Sequence, residues 1–430
     1  MPGPSSSRAL AAIVAAAALA GCGAAGDADA PRWVAETDTI GDTIVVRTIA
    51  GGVWPAGVTV TPEVTIGQFE GEDEYVFGEI VSLTVAPDGS IFLFDRQAKA
   101  LRQYAPDGTY VRTIGREGGG PGEYRNPDGG LAITPDGRLL LRDPGNARIN
   151  IYSLTGESLG SWRIAGGFFT SNPLYVDGAG RVYTPGLMDR AADVTQWKSA
   201  LIRVGPDSIT RDTLPVPELD HQPKVLVARR TSEGSTSTSV NSVPFTAAAH
   251  WAYSPLGYFV VGVSDRYAIS LLRTGEPVLR IEKAWTPVPV NPDEKAEAER
   301  RATESMRFTD PNWRWDGPGI PDTKPAFRSI FVAADGRIWV QLHQPAFRID
   351  VEEEKGEPRP GRLSPQRWVE PLVYDVFEPD GRYLGAVELP RNASVRYARG
   401  DHVWAITRDE LDVQYVTRYR IQTGEPIRDR

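Results

Sequence analysis

The amino-acid sequence predicts an all-β protein, and three observations support this fold class. The 430 residues include 43 glycines and 35 prolines, which favour frequent turns and disfavour long helices. A short apolar strand, a turn that ends in glycine and a second strand rich in β-branched and aromatic residues recur six times. A hydrophobic fraction of 41%, with 11 Trp, 15 Tyr and 13 Phe, suffices for a large core. Neither a disordered chain nor a helical bundle is expected.

The six copies of the pattern each contain one turn glycine. The copies are residues 82–95, 131–143, 174–184, 251–262, 330–341 and 395–406. Their glycines are Gly89, Gly137, Gly180, Gly257, Gly336 and Gly400. Most copies are followed by a third strand, a second turn and a fourth strand, as in residues 100–115. Six repeats of four antiparallel strands predict a six-bladed β-propeller, and the wider glycine spacings indicate insertions.

The two ends of the chain are expected to complete the ring together. The sixth repeat stops soon after its third strand, at residues 415–421, and has no obvious fourth strand. Residues 64–67 resemble residues 112–115 at the end of the first repeat, so we expect an N-terminal strand to close the last blade. Residues 43–49 would form an additional outer strand. The propeller would then span residues 42–430.

Two insertions interrupt the predicted ring. The first, at about residues 219–244, is rich in Ser and Thr and has the composition of an exposed loop. The second is predicted to be a helix at about residues 291–308, because Asn291 suits the N-cap and Pro292 the first helical position. A modest apolar stripe on this helix consists of Ala298, Ala302 and Met306. The sequence leaves open whether the helix covers one face of the ring or decorates a blade edge.

The N-terminal segment indicates export. Residues 1–21 contain one positive charge, an apolar run and small residues, which is typical of a secretory signal peptide. The run of about twelve residues is too short for a membrane span. Residues 19–22 resemble the lipobox of bacterial lipoproteins, which implies cleavage before Cys22 and lipidation of its thiol. Residues 22–41 would then comprise the lipidated cysteine and a flexible stalk.

We therefore expect a lipid-anchored protein of the cell envelope, either facing the periplasm or in the outer membrane, with the membrane as one partner. Cys22 is the only cysteine, so an intramolecular disulfide is excluded. The formal net charge of −9 argues against nucleic acid as a partner. An envelope protein or a polar or anionic small ligand is expected instead, and the chain is expected to be a monomer.

Two of the repeats carry a family resemblance. Residues 119–124 lead into an inner strand, and residues 142–152 contain an Asp, Asn, Arg, Ile turn like that of NHL repeats. Residues 42–430 as a whole are similar to bacterial six-bladed β-propeller lipoproteins of the NHL-like kind. Repeats three to six depart from the turn motif. Such propellers include catalytic and purely binding members, so the resemblance implies architecture rather than activity.

No motif in the sequence predicts a specific chemistry. The four histidines, at positions 221, 250, 343 and 402, lack the short spacing of a zinc site, so no metal site is predicted. No nucleophile motif is present, and the glycine run 118–122 is best explained as an interblade turn. The acidic stretches 70–74 and 352–354 lack the alternating ligands of a calcium loop and are interpreted as solvated charge. No cofactor is predicted.

A propeller brings the starts of its inner strands together around one axial funnel. The predicted channel-facing residues are Glu79, His250, Arg328 and Arg396. His250 is more simply explained as a structural histidine than as a ligand. Two arginines, one histidine and one glutamate suit a polar or anionic ligand better than a divalent cation. We therefore expect a non-catalytic ligand-binding or protein-binding module. The alternative is a calcium-dependent hydrolase, lactonase or lyase of the six-bladed propeller type, with calcium as its cofactor.

Overall fold

A computed structural model describes seven stretches of the chain: residues 33–55, 58–164, 172–189, 198–206, 212–232, 234–351 and 363–423. Six sheets of at least four strands follow one another along the sequence, and each begins with one of the six repeat hairpins. They form the six blades of a propeller ring, so the predicted all-β, six-bladed fold is confirmed.

The first three blades have four strands each. Blade 1 contains Ile80–Val85, Ile91–Asp95, Ala100–Tyr104 and Tyr110–Ile114. Blade 2 contains Leu131–Ile133, Arg138–Asp143, Arg148–Ser153 and Ser158–Arg163, with a 3-10 turn at Pro144–Asn146. Blade 3 contains Tyr175–Val176, Val182–Asp189, Lys198–Val204 and Thr213–Pro215.

The last three blades include both N-terminal additions. Blade 4 contains Ala249–Tyr253, Phe259–Val263, Ala268–Leu272, Val278–Lys283, Thr43–Ala50 and Val34–Ile40. Blade 5 contains Ser329–Val332, Ile338–Gln341, Leu372–Phe377 and Tyr383–Leu389. Blade 6 contains Ser394–Arg399, His402–Arg408, Gln414–Gln422 and Thr59–Ile66. Two further short pairs are present: Arg116–Glu117 with Glu123–Tyr124 between blades 1 and 2, and Phe347–Arg348 with Trp368–Val369 between the second and third strands of blade 5.

Turn chemistry explains why each inner hairpin forms where the sequence predicts it. All six turn glycines have positive φ, between 60° and 90°, which a side chain would strain. In two of the turns an aspartate accepts a hydrogen bond from the backbone amide two residues later. Asp88 accepts from Ser90 at 2.9 Å, and Asp335 accepts from Arg337 at 3.2 Å. The turns are therefore specified locally.

The predicted ring closure is confirmed. Thr59–Ile66 pairs antiparallel with Gln414–Gln422 and supplies the missing outer strand of blade 6. Ile66, which is 2% exposed, packs with Val416 and Ile406 of the C-terminal strands. First and last segments thus share one sheet and leave no open seam in the ring.

The additional N-terminal strand lies on blade 4. Thr43–Ala50 pairs in parallel with Val278–Lys283. Val34–Ile40 pairs antiparallel with Thr43–Ala50 and forms the edge of the resulting six-stranded sheet. Residues 34–40 were assigned to the stalk from sequence, but the structure places them in this edge strand. Their alternating β-branched and polar residues suit an exposed sheet edge.

The two insertions pack against each other. The first was expected to be an exposed loop, but Val225–Ser232 and Ser235–Ser242 form a β-hairpin. The second is the predicted helix, Pro292–Arg307, which begins with a capping box at Asn291. The apolar stripe of the helix packs on the base of the hairpin in one cluster: Leu226, Ala228, Val243, Ala298, Ala302, Met306, Trp313 and Ile320.

Candidate functional site

The four funnel candidates all lie at one end of the ring, where the inner strands begin. We call this end the entry face. Glu79 directly precedes the inner strand of blade 1, and Arg328 directly precedes that of blade 5. His250 and Arg396 are within the first three residues of the inner strands of blades 4 and 6. Because strands alternate in direction, the turns between second and third strands also lie at this face.

A pocket of about 560 Å³ opens at the entry face between blades 6 and 1. It brings together Glu79 and Arg396, which are more than 300 residues apart in the sequence. Its lining residues are Glu79, Ile80, Val81, Arg96, Gly129, Arg391, Asn392, Ala393, Ser394, Arg396, Ile406, Arg408 and Gln414. Gln414 connects the two blades, because its side chain accepts a hydrogen bond from the Ile80 backbone at 2.8 Å. We call this cavity the 6/1 pocket.

The 6/1 pocket is strongly basic in an otherwise acidic protein. Its lining includes four arginines and a single carboxylate, that of Glu79. Arg96 holds this carboxylate with both ends of its guanidinium, and its Nε lies 2.8 Å from Oε2. Arg408 donates to Asp412 at 2.9 Å, and Arg391 stands 5.8 Å from the ring centre of Phe347. Three of the four arginines thus have protein partners.

Arg396 differs from the other three. No hydrogen-bond acceptor or carboxylate in the described ranges pairs with its guanidinium. Arg396 is exposed to solvent in the pocket, where partial desolvation, followed by the positive charge of Arg408, lowers its pKa. An arginine remains protonated despite such a shift. The pocket therefore contains a cation whose positive charge no described residue neutralises.

Two β-bulges shape the pocket wall. In the inner strand of blade 6 the register shifts between Val395 and Tyr397, which leaves Arg396 as the extra residue. In the inner strand of blade 1 the register shifts between Ile80 and Ser82, which leaves Val81 as the extra residue. The described inner strands of the other four blades pair with their second strands in continuous register. Bulges redirect side chains and are common beside functional sites.

The other two candidates lie outside the 6/1 pocket. His250 packs 5.2 Å from the ring centre of Phe327. Burial, followed by the charges of His343 and His221, lowers the pKa of His250 to about 4, so it is neutral at pH 7. Arg328 is exposed, and its backbone donates to Gln341 at 2.7 Å. Neither residue lines the pocket.

Sequence reasoning missed three of the four pocket arginines. Arg96 and Arg408 lie at the ends of second strands, whereas the candidates were sought only at the starts of inner strands. Both strand ends meet at the entry face, so a search that included second-strand ends would have found them. Arg391 lies in the connection from blade 5 to blade 6 and carries no such positional signal.

A buried ionic cluster lies beneath the inserted helix. Lys324, which is fully buried, contacts Glu294 at 2.7 Å and Glu370 at 3.0 Å. His343 Nδ1 lies 3.1 Å from Glu370, and the Gln344 backbone donates to the same carboxylate. Burial raises the pKa of Glu370, but His343, the Gln344 amide and Lys324 together lower it to about 2. The cluster ties the helix to the entry face of blade 5, which favours the covering role over edge decoration.

The remaining sequence-based candidates are a metal site, the two acidic stretches and Cys22. In the parts of the chain that the structure describes, no group of three or more His, Cys, Asp or Glu residues is placed to hold a metal ion. Residues 70–74 are described and mostly exposed. Residues 352–354 and Cys22 lie outside the described residues. None of the described helices is long and apolar enough to cross a bilayer.

Comparison with known proteins agrees with the six blades. The DUF5128 family, described as a 6-bladed beta-propeller, matches residues 64–166. No curated protein sequence is significantly similar to the chain. The NHL-like character of the repeats stays a prediction.

Solved structures with low sequence identity also match. A Bacteroides fragilis protein described as exported is 9% identical, with 88% of this chain and 99% of that chain covered and a TM-score of 0.43. A DUF4221 member from Bacteroides vulgatus is 10% identical, with coverages of 85% and 98% and a TM-score of 0.44. A gluconolactonase from Xanthomonas campestris is 13% identical, with coverages of 92% and 96% and a TM-score of 0.37.

Proposed function

We propose that this protein is a non-catalytic binding module of the cell envelope and that its 6/1 pocket takes a polar or anionic small ligand. One observation carries the proposal: Arg396 lines a concave pocket, and no described acid neutralises its charge. A guanidinium fork matches an oxoanion that accepts two parallel hydrogen bonds. A bound anion would supply the missing partner.

The surroundings of Arg396 support the same conclusion. The pocket concentrates positive charge in a chain whose formal net charge is −9. A concave site lined by one sign of charge focuses its field and attracts ligands of the opposite sign. The volume of about 560 Å³ is in the usual range for sites that bind small molecules. An envelope protein that presents an acidic side chain is the other partner compatible with this charge.

Lipidation of Cys22 after signal cleavage would place the pocket in the envelope. The signal-like residues 1–21 and the lipobox-like residues 19–22 support this location. We propose that the membrane is engaged through the lipid alone, that nucleic acid is not a partner, and that the protein acts as a monomer.

The calcium-dependent hydrolase, lactonase or lyase is the competing proposal, and the 6/1 pocket does not suit it. A calcium ion needs six to eight oxygen ligands, several of them carboxylates. The pocket offers only Glu79, and Arg96 contacts both oxygens of that carboxylate. Four nearby guanidinium groups repel a divalent cation.

Thermal unfolding with small anions tests the proposal. We expect at least one of acetate, inorganic phosphate and glucuronate, added at constant ionic strength, to raise the melting temperature of the wild type but not of Arg396→Gln. Arg163→Gln is the matched control, because Arg163 is an exposed strand arginine remote from the pocket lining. Equal responses of wild type and Arg396→Gln would contradict the proposal. So would a stoichiometric metal ion that is lost in Glu79→Gln.

A further inference from the structure

The wall of the 6/1 pocket contains both charged and apolar side chains. Ile80, Val81, Ala393 and Ile406 line the pocket together with the four arginines. Val81 is only half-buried, whereas Ile80 and Ile406 are 3% exposed. The side chain of Val81 is therefore the apolar group most available to a ligand.

One arginine in the pocket has no hydrogen-bond, ion-pair or aromatic partner among the described residues. Arg96 already holds Glu79, and Arg408 already holds Asp412. Arg391 lies against the face of Phe347, a contact that leaves its charge uncompensated. The guanidinium of Arg396 is left without an acceptor among the residues that the structure describes. A guanidinium fork matches a planar carboxylate.

The two bulges place the charged and the apolar elements on the two sides of one pocket. Arg396 is the extra residue on the blade 6 side, and Val81 is the extra residue on the blade 1 side. Each bulge removes backbone hydrogen bonds between the paired strands. Among the described inner strands, bulges occur only in the two strands that line the pocket. This coincidence indicates a built site with a cationic side and an apolar side.

From this arrangement, and resting on the proposed binding function, we infer that the ligand is a small organic carboxylate with an apolar body. Arg396 holds the carboxylate, and Val81 contacts the apolar body. An inorganic anion satisfies the charge but leaves the apolar side of the pocket wet, and a neutral amide analogue leaves Arg396 without its ion pair.

Fluorine NMR with the full chain tests this inference. The probes are 4-fluorophenylacetate, its primary amide and inorganic phosphate as a competitor. We expect 4-fluorophenylacetate to bind the wild type, and to bind Arg396→Gln about ten- to a hundredfold more weakly, since a charged hydrogen-bonded pair is lost. Arg163→Gln should match the wild type. The amide should bind no better to the wild type than to Arg396→Gln.

Val81→Thr tests the apolar side separately. Threonine keeps the shape but replaces a methyl group by a hydroxyl, so 4-fluorophenylacetate should bind about three- to fivefold more weakly, while acetate should be unaffected. Melting curves of both pocket variants establish that they are folded.

Each further result has a distinct meaning. If phosphate raises the melting temperature through Arg396 but 4-fluorophenylacetate does not bind, the inference of an organic carboxylate is overturned and the anion-binding function stands. Binding of 4-fluorophenylacetate that is insensitive to Val81→Thr also overturns the inference. If none of the tested anions binds more tightly to the wild type than to Arg396→Gln, both the inference and the proposed function are wrong.

Discussion

Arg396 and Arg408 come from neighbouring strands of blade 6 and face the same cavity, where partial desolvation and the charge of Arg408 lower the pKa of Arg396. Arg408 is paired with Asp412 at 2.9 Å, whereas no acid within the described chain pairs with Arg396. The charge of Arg396 therefore stays uncompensated until a ligand supplies an acidic group.

The buried lysine of the inserted helix should be essential for stability. Lys324→Met removes the cation that contacts Glu294 and leaves Glu370 with only His343 and the Gln344 amide, so it should lower the free energy of unfolding by about 3–5 kcal/mol. Chemical denaturation measures the change. Lys295→Met is the matched control, because its partner Asp322 is exposed and such a pair contributes less than about 1 kcal/mol. Equal effects of the two substitutions would refute the buried-cluster argument.

His250 should make the protein sensitive to acid. Its pKa is about 4 in the folded state and near 6.5 in the unfolded state, so the unfolded chain binds the extra proton between these values. Stability due to neutral His250 is therefore present above pH 6.5 and is lost as the pH falls towards 4. In melting curves from pH 7.5 to 4, His250→Gln should lose less stability than the wild type. Parallel curves for the two proteins would disprove this role.

Removing the core contact of the closing strand, Thr59–Ile66, should lower the free energy of unfolding. Ile66→Ala deletes buried methyl groups between the first and last strands and should cost about 2–5 kcal/mol. Thr59→Ala, at an exposed position of the same strand, should change stability by less than about 0.5 kcal/mol. Denaturant unfolding distinguishes the two. A near-neutral Ile66→Ala would mean that closure does not depend on this packing.

Lipid anchoring depends on a single thiol. Cys22→Ser should move the protein from the membrane fraction to the soluble periplasmic fraction, because one lipidated cysteine is the proposed anchor. Cell fractionation with immunoblotting measures this shift, and mass spectrometry of the mature N-terminus detects the acyl chains. A wild-type protein that is soluble and not acylated would show that the anchor does not exist.

Local signals account for the parts of the fold that the sequence predicted. The six hairpins depend on turn glycines with positive φ and on polar side chains that accept hydrogen bonds from nearby backbone amides, such as Asp88 and Ser254. The helix depends on the capping box at Asn291. The hairpin at residues 225–242 was missed because its polar Ser and Thr residues lack a buried face that alternates with an exposed one.

Long-range pairing and register explain the rest. Thr43–Ala50 joins blade 4 through a parallel pairing with Val278–Lys283, for which no local residue pattern exists. The sequence placed Glu79 and Arg396 at one face, but their shared pocket depends on two bulges that shift register by one residue. Arg408 was missed for a different reason, because it lies at the end of a second strand and the candidates were sought only at the starts of inner strands.

A ligand titration that follows the NMR signal of the Arg396 side chain tests the central claim that this residue holds the ligand. In the full chain labelled with ¹⁵N, the arginine Nε–H signal that disappears in Arg396→Gln identifies Arg396. During addition of 4-fluorophenylacetate, this signal should shift in a saturable manner, with the same dissociation constant as the fluorine signal of the probe. An Arg396 signal that stays in place while the probe binds would contradict the account.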